Sequence, residues 1–146
     1  MGVRQNGDCQ VMDLVTQLRR DEGVRYTPYR DTLGLLTVGV GRCLDRVPFS
    51  DDEVNLMLAN DIVDKQKQLQ QFPWFTALDD VRKAAVVNMA FNLGVHGLLG
   101  FPHAIAALAK QDWATANSEL LDSVWSRQVG DRANRIALQI LSGQWQ

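Results

Sequence analysis

The segment that most constrains the fold runs from Leu78 to Leu93, reads LDDVRKAAVVNMAFNL and ends at Gly94. Drawn as a helix, it is apolar over much of its circumference. A surface helix carries only one apolar stripe, whereas a helix that is apolar on most sides is buried among other elements. The chain is therefore expected to form a helical domain around one buried helix.

Shorter helical patterns follow this central segment. Apolar residues recur at helical spacing in residues 103–109, 112–121 and 132–141. Asp131 is the predicted N-cap of the last helix, and Gly143 lies just beyond its predicted end. The region from about residue 73 onward is therefore predicted to be a mainly helical lobe.

The N-terminal part of the chain changes its period at Gly23. The residues before it place four apolar side chains at helical spacing, at Val11, Leu14, Val15 and Leu18. Gly23 itself suits the left-handed conformation that ends many helices. The stretch from Tyr26 to Gly41 then carries one proline, three glycines and β-branched residues at positions 37, 38 and 40. This composition is typical of a short hairpin or a small sheet.

Residues 50–53, Ser-Asp-Asp-Glu, predict the start of a long helix. In this capping box the Ser50 hydroxyl accepts from the backbone amide of Glu53, whose side chain reaches back to the amide of Ser50. The helix is expected to end before Phe72, because the following proline disfavours helical angles there, and so to be ~30 Å long. The predicted class is α+β, with one domain made of a helix and hairpin lobe (1–49), a connecting helix (50–72) and a helical lobe (73–146).

Composition limits the classes of function. A chain of 146 residues with 46% apolar and 22% charged side chains is typical of one globular domain. Fifteen basic and seventeen acidic side chains give a net charge of −2, without the basic excess of a nucleic-acid binder. No apolar run reaches the ~18 residues of a membrane span, and the polar residues 1–10 predict no signal peptide. We expect a monomer without stable membrane association.

Cysteine and histidine are too sparse for a disulfide scaffold or a metal centre. Cys9 and Cys43 are interpreted as two reduced thiols, with a single bridge as the alternative. His96 and His103 lie in a stretch punctuated by glycine and proline, and no cluster has metal-ligand spacing. No metal and no cofactor are expected.

Two carboxylates stand out by their positions. Glu22 closes the first helix, where the negative end of the helix dipole favours the protonated form that a general acid needs. Asp31 lies in the polar turn that enters the hairpin, where it is expected to stay ionised. Two carboxyl groups kept in opposite protonation states are the pattern of acid and base in glycoside hydrolysis. Spacing alone is weak evidence, because most such pairs are solvated surface charges.

Motifs around these carboxylates carry a resemblance. The stretches RDEG at 20–23, YRDTLG at 29–34 and LTVGVG at 36–41 resemble the active-site region of the phage-type lysozymes, glycoside hydrolase family 24. The resemblance continues through residues 78–94, Gly100-Phe101, Trp113 and the WxxQxxxRAxR pattern at 125–135. It covers nearly everything from Leu14 to Trp145, and it implies a lysozyme-like fold.

The resemblance implies roles for three catalytic residues. Glu22 matches the general acid, which protonates the oxygen of the departing sugar. Asp31 matches the carboxylate that orients a water or stabilises the developing oxocarbenium charge. Thr37 matches the threonine that, with the aspartate, holds water on the opposite face of the sugar ring. That arrangement is inverting, and it needs carboxyl groups ~6.5–9.5 Å apart so that a water fits between them.

The resemblance also implies substrate-binding positions. Tyr29 matches a residue that lines the cleft, and Phe91 matches one on which a sugar ring packs. Arg132 matches an arginine that pairs with the catalytic glutamate across the cleft, and Glu119 stands where relatives have an amide that touches substrate. The alternative roles of these residues are structural. Tyr29 would cover the hairpin, Phe91 would belong to the hydrophobic core, and Arg132 would form an ordinary ion pair on the surface.

Besides Glu119, three positions depart from the family pattern. Arg42 stands where relatives usually carry a histidine that looks structural, so the change bears on local stability more than on chemistry. Cys43 replaces an apolar cleft residue. Ala104 replaces a small polar residue that touches substrate, which leaves sugar specificity open.

The resemblance implies a muramidase that cleaves the β-1,4 bond between N-acetylmuramic acid and N-acetylglucosamine in bacterial peptidoglycan. The enzyme would be a phage or prophage endolysin made in the host cytoplasm, needing a separate pore-forming protein to reach the wall. A lytic transglycosylase on the same bond and a non-catalytic peptidoglycan-binding module are the alternatives. A tail-associated lysozyme or a bacterial effector would share the same domain.

Overall fold

The computed structural model describes the backbone of residues 6–146 and the side chains of residue 11 and residues 13–146. This part of the chain forms a small antiparallel sheet and eight helices, which confirms the α+β class and the lysozyme-like fold. In chain order the elements are α1 (Asn6–Glu22), β1 (Arg25–Arg30), β2 (Leu36–Gly39), β3 (Arg42–Cys43), α2 (Asp51–Leu69), α3 (Pro73–Thr76), α4 (Asp80–Leu98), α5 (Pro102–Ala109), α6 (Trp113–Leu121), α7 (Val124–Val129) and α8 (Asp131–Ser142). The chain divides into two compact units, the first ending at Glu53 and the second beginning at Val54.

In the first unit, α1 ends at the residue that the sequence indicated. Gly23 has a φ of +72°, the left-handed conformation that lets the chain leave a helix without a Cβ penalty. The four apolar side chains that predicted the helix are 42% to 60% exposed. Their periodicity therefore predicted the helix correctly, while the stripe itself stays accessible.

The β part of the first unit is a three-stranded antiparallel sheet in the order β1-β2-β3, one strand more than a hairpin. On β2, Thr37 pairs with Tyr29 of β1 on one side and with Cys43 of β3 on the other. Directly paired residues of antiparallel strands project to the same face. Tyr29, Thr37 and Cys43 thus form one row across the sheet.

The predicted capping box begins α2. The Ser50 backbone N–H donates to a carboxylate oxygen of Glu53 (2.8 Å), and the Glu53 N–H donates to the Ser50 hydroxyl (3.3 Å). The helix ends at Leu69, three residues earlier than predicted. Phe72 is instead the extended N-cap of the short α3, whose first residue is Pro73. Proline suits the first position of a helix, because a backbone N–H at that position has no acceptor within the helix and proline carries no N–H.

The second unit contains the hydrophobic core. Among the described residues, every buried apolar side chain lies at Leu69 or later in the chain. Helix α4 is the buried element that its composition predicted, with five buried residues in its middle, Ala85, Val86, Val87, Met89 and Ala90. Gly94 interrupts it with φ +71° and ψ 160°, so the predicted end is a break after which the helix continues to Leu98.

The last helix packs on α4, α6 and α7. Its predicted N-cap is wrong, because Gly130 is the cap residue, with φ +57°, and Asp131 is already the first helical residue. Gly143 ends α8 in the left-handed conformation, as predicted. The short helices α3 and α7 were not indicated by the sequence, since neither is long enough to show a period.

Two further sequence expectations concern the cysteines and the absence of a membrane span. Cys43 is a half-buried free thiol, whereas the Cys9 side chain lies outside the described residues. Within residues 6–146, no single helix combines the length and hydropathy of a membrane span, and α4 with α5 reaches them only as a pair bent by 114°.

Candidate active site

Glu22 is the last residue of α1, and its side chain is exposed. The carboxylate lies beside the loop that joins β2 to β3. A Cβ atom built on Gly41 of this loop would be 3.5 Å from Glu22 Oε2. Glycine at this position, with φ +70°, therefore leaves that side of the carboxylate open.

Asp31 is fixed by the backbone of its own loop. Its Oδ1 accepts hydrogen bonds from the N–H groups of Leu33 (2.8 Å) and Leu35 (2.9 Å). Its own N–H donates to the Leu35 carbonyl (2.9 Å), and the Gly34 N–H donates to the Asp31 carbonyl (3.0 Å). Among the described residues no donor bonds Oδ2, so that oxygen is left for a ligand or a water.

Thr37 lies in the central strand and is 4% exposed. Its hydroxyl donates to the Leu35 carbonyl (3.2 Å), which leaves its lone pairs able to accept. Leu35 therefore links the two predicted residues, since its N–H bonds Asp31 and its carbonyl bonds Thr37. The structure places Glu22, Asp31 and Thr37 in the same compact unit, and sequence reasoning missed the link through Leu35.

Tyr29 is half-buried and lies beside Thr37 across the sheet. The Arg25 guanidinium stands over its ring, 4.6 Å from the centroid. A cation over an aromatic face is attracted by the ring quadrupole and restrains the ring. The two residues are four apart in the chain. The strand pairing is irregular between them, so the sequence pattern did not predict this contact.

Two predicted substrate-binding residues lie together in the second unit. Phe91, which is 42% exposed, and Arg132 both line a concavity of about 460 Å³. The Arg132 guanidinium donates to the side-chain and backbone oxygens of Asn88 at 2.9 to 3.1 Å. Phe91 is therefore a partly exposed residue in the wall of this concavity rather than a core residue. Sequence reasoning missed Asn88, which carries no signal beyond its place on α4.

Glu119 lies elsewhere in the second unit. It is exposed on α6 and lines a separate concavity of about 340 Å³, whose wall also contains Ala104 and Trp125. The Trp125 indole N–H donates to Asn92 Oδ1 (2.9 Å), and its ring meets Phe101 edge-on at 6.1 Å. The two aromatic residues of this wall are thus held by a ring contact and a hydrogen bond.

Arg42, the departure from the family histidine, is tied to the first turn of α2. It forms an ion pair with Glu53, and its Nη2 donates to the Pro48 carbonyl (2.6 Å). The hydrogen bond from the Ser50 backbone N–H, with smaller contributions from the Ser50 hydroxyl and Arg42, holds the pKa of Glu53 below its ordinary value of about 4.5. Burial works against this lowering without cancelling it. Glu53 therefore stays ionised and paired at neutral pH.

Over the described residues, no group of three or more histidine, cysteine, aspartate or glutamate side chains is arranged to hold a metal ion.

Comparison with known proteins agrees with the fold. The family model described as phage lysozyme matches residues 19–139. The pre-baseplate central spike protein Gp5 of Enterobacteria phage T4 is 29% identical over 161 aligned positions, which cover 90% of this chain but only 28% of that protein. Two Dictyostelium discoideum proteins named probable T4-type lysozyme 1 and 2 are 25% and 23% identical, over 91% and 86% of this chain and 96% and 92% of their own lengths.

Proposed function

Because the chain belongs to the phage lysozyme family of enzymes, we propose that it is a peptidoglycan hydrolase, an endo-N-acetylmuramidase of glycoside hydrolase family 24. Its substrate bond is the β-1,4 link between N-acetylmuramic acid and N-acetylglucosamine. One observation carries the proposal: Glu22 lies at the exposed end of α1 in the same compact unit as Asp31, whose carboxylate is fixed by two backbone amides.

The proposed reaction needs two carboxyl groups in opposite roles. Glu22 donates its proton to the glycosidic oxygen as the bond to the sugar breaks, and Asp31 accepts a proton from the attacking water. The free Oδ2 of Asp31 is the oxygen available for this water. The Thr37 hydroxyl, which donates to Leu35, accepts a hydrogen bond from the same water. Attack from the face opposite to the leaving group inverts the configuration of the sugar.

The substrate-binding roles of Tyr29, Phe91, Arg132 and Glu119 rest on the resemblance to the family. We expect Tyr29→Ala and Phe91→Ala to raise KM, because the first removes an aromatic side chain proposed to line the cleft and the second removes a ring proposed to pack on a sugar. Glu119→Gln restores the amide of the relatives and is expected to change the preference among muropeptides rather than the rate of bond cleavage. Turnover of a panel of purified glycan chains measures both effects.

The first experiment digests isolated Gram-negative peptidoglycan with the purified wild type, with Glu22→Gln and with Asp21→Asn. The digests are reduced and analysed by mass spectrometry. Reducible muropeptides, each heavier by one water than an anhydro product, are expected from the wild type and from Asp21→Asn but not from Glu22→Gln. Asp21 is the matched control, because it is the residue next to Glu22 and its carboxylate pairs, within the part of the chain that the structure describes, with Arg20 alone.

Other outcomes favour the alternatives. Anhydro products from the wild type would identify a lytic transglycosylase and remove the water-binding role of Asp31. Binding to the sacculus without any product would identify a peptidoglycan-binding module. Nuclear magnetic resonance of the fresh digest tests the stereochemistry, since an inverting enzyme releases the α-anomer first from a β-linked chain.

We propose that the enzyme acts in phage-induced host lysis, reaching the wall from the cytoplasm through a membrane pore made by a separate protein, and that it acts as a monomer. The likeness to the phage T4 spike protein supports a tail-associated role as the second candidate. Expression in the host cytoplasm with and without a pore-forming protein separates them. Lysis only with the pore supports the endolysin role, and no lysis in either case favours tail delivery.

A further inference from the structure

Arg42 bonds several groups of the first unit at once. Besides the ion pair with Glu53 and the hydrogen bond to the Pro48 carbonyl, its guanidinium stands over the Phe49 ring at 5.3 Å. Glu53 is itself held by the Ser50 backbone N–H and hydroxyl. Arg42 thus joins β3 to the first turn of α2 through several groups at once.

The residue before Arg42 borders the carboxylate of Glu22. Gly41 lies in the turn between the paired residues Val38 and Arg42, and this turn begins at Gly39, the last residue of β2. Both glycines of this turn have positive φ, +66° at Gly39 and +70° at Gly41. A turn with glycines at both ends has many conformations open to it. Its native shape therefore depends on what anchors its ends, and Arg42 anchors the end that lies beside Glu22.

We propose that Arg42 is a positioning residue for Glu22, which holds Gly41 against the carboxylate by clamping the start of β3 to the first turn of α2. This inference rests on the proposed function, in which Glu22 is the general acid. A general acid acts only when its proton points at the leaving oxygen, and small displacements are costly. The clamp limits the space into which the Glu22 side chain rotates.

The hydrogen bonding of Arg42 argues against a role in stability alone. Its Nε is buried and has no hydrogen-bond acceptor among the described residues. A buried unpaired donor opposes folding. The guanidinium therefore meets Glu53, Pro48 and Phe49 in a geometry that leaves one of its own donors without an acceptor among the described residues.

The test compares four variants of the full chain. Arg42→Met keeps an unbranched apolar stem and removes all the hydrogen bonds of the side chain, Arg42→Lys keeps the charge, and Glu53→Gln removes the ion pair. Asp112→Ala is the stability control, because it removes the N-cap of α6 in the other unit. We expect Arg42→Met to lower kcat about tenfold with KM unchanged, Arg42→Lys to recover most of the loss, and Asp112→Ala to lower Tm alone.

A second measurement is independent of activity. The carbon-13 resonance of the Glu22 carboxyl reports its surroundings, and we expect it to move in Arg42→Met and Glu53→Gln but not in Asp112→Ala. An unchanged resonance together with a wild-type kcat in Arg42→Met would overturn the proposal. A wild type that does not cleave peptidoglycan, with a resonance that does move, would refute the proposed function and keep the clamp.

Discussion

At the scale of single residues, Asp31 shows how a loop fixes a carboxylate with backbone amides. Both amides that bond its Oδ1 come from the loop of residues 31–35. Such bonds are short, charge-assisted and shaped by the backbone, so they hold one oxygen in place and leave the other free. The free oxygen is then oriented by the fold rather than by the substrate.

Asp31→Asn separates this architecture from the chemistry. The amide oxygen of asparagine still accepts both backbone bonds, so we expect little change in Tm. The variant cannot take a proton from water, and turnover of peptidoglycan is expected to fall about 10²–10⁴-fold. Asp31→Ala is the comparison, because it loses the acceptor as well and should lower both turnover and Tm. A turnover near wild type in Asp31→Asn would contradict the role of general base.

The two loop glycines form a second pair at this scale. An alanine at Gly39 or Gly41 adopts a positive φ, and each substitution is expected to cost about 1 kcal/mol in the free energy of unfolding. Only at Gly41 does the new methyl group contact Glu22, since nothing lies within 4 Å of a Cβ at Gly39. We therefore expect Gly41→Ala to lower kcat several-fold more than Gly39→Ala at equal loss of stability. Equal kcat values would show that the carboxylate tolerates the contact.

At the scale of elements, Arg82 of α4 fastens the C-terminal end of α8. Its Nε donates to the Ile140 carbonyl (2.7 Å) and its Nη2 to the Leu141 carbonyl (3.3 Å). The last carbonyls of a helix have no partner within it, so an arginine that bonds them replaces water. The guanidinium also pairs with Asp79 (2.7 Å) and stacks over the Trp113 ring at 4.1 Å.

Arg82→Met is expected to lower the free energy of unfolding by about 2 kcal/mol, because two helix carbonyls lose their donor and the Asp79 ion pair is lost. The methionine keeps most of the packing against Trp113. Urea denaturation measures the loss. The kcat of the folded protein is expected to stay at the wild-type value, and a fall in kcat would tie α8 to the chemistry.

Elements whose signals are local were the ones the sequence predicted well. Gly23 and the capping box of α2 depend on residues within one turn, and both were predicted at the correct positions. Asp131 was assigned wrongly as the N-cap of α8. The cap residue is Gly130, which has a positive φ and no side chain to form a capping hydrogen bond, so the sequence carried no capping signal there. The third strand has only two residues, too few to show alternation.

For the candidate site, the sequence likewise indicated the residues themselves but not the contacts that hold them. Glu22, Asp31 and Thr37 were singled out from the sequence, and the structure places them in one unit. The partners that hold site residues in place were not predicted. Contacts such as the one between Arg132 and Asn88, 44 residues apart, depend on how helices pack, and no local pattern encodes that choice. Their roles in catalysis stay predictions until the variants are measured.

At the scale of the whole molecule, stability and the proposed chemistry are separated along the chain. Every buried apolar residue among the described ones lies in the second unit or at its border, whereas the first unit contains the two carboxylates and the sheet. Hydrophobic burial is the main favourable term in folding. The second unit therefore supplies most of it, and the first relies more on hydrogen bonds, ion pairs and turn geometry.

Three carboxyl groups with lowered pKa values predict how the molecule responds to acid. Burial raises the pKa of Asp79, but the hydrogen bonds and charge of Arg82 outweigh it and bring the pKa below its ordinary value of about 3.8. Hydrogen bonds from the Thr115 hydroxyl and N–H lower the pKa of Asp112 in the same way, and Glu53 is lowered as described above. In all three the folded state binds its proton less readily than the unfolded state.

A carboxyl group whose pKa is lower in the folded state stabilises the fold fully above its unfolded pKa, and this contribution is lost as the pH falls through the folded value. We therefore expect Tm to be insensitive to these groups near neutral pH and to fall progressively below about pH 4.5, where Glu53 begins to titrate in the unfolded chain, and further below about 3.8, where the two aspartates follow. Calorimetry from pH 7 to pH 3 measures the decline. Asp79→Asn and Glu53→Gln are expected to start from a lower Tm and to lose less of it over this range. An amide does not bind a proton between pH 7 and pH 3, so each variant lacks the pH-dependent contribution of the carboxyl group that it replaces. A parallel decline in the variants and the wild type would assign acid sensitivity to other groups.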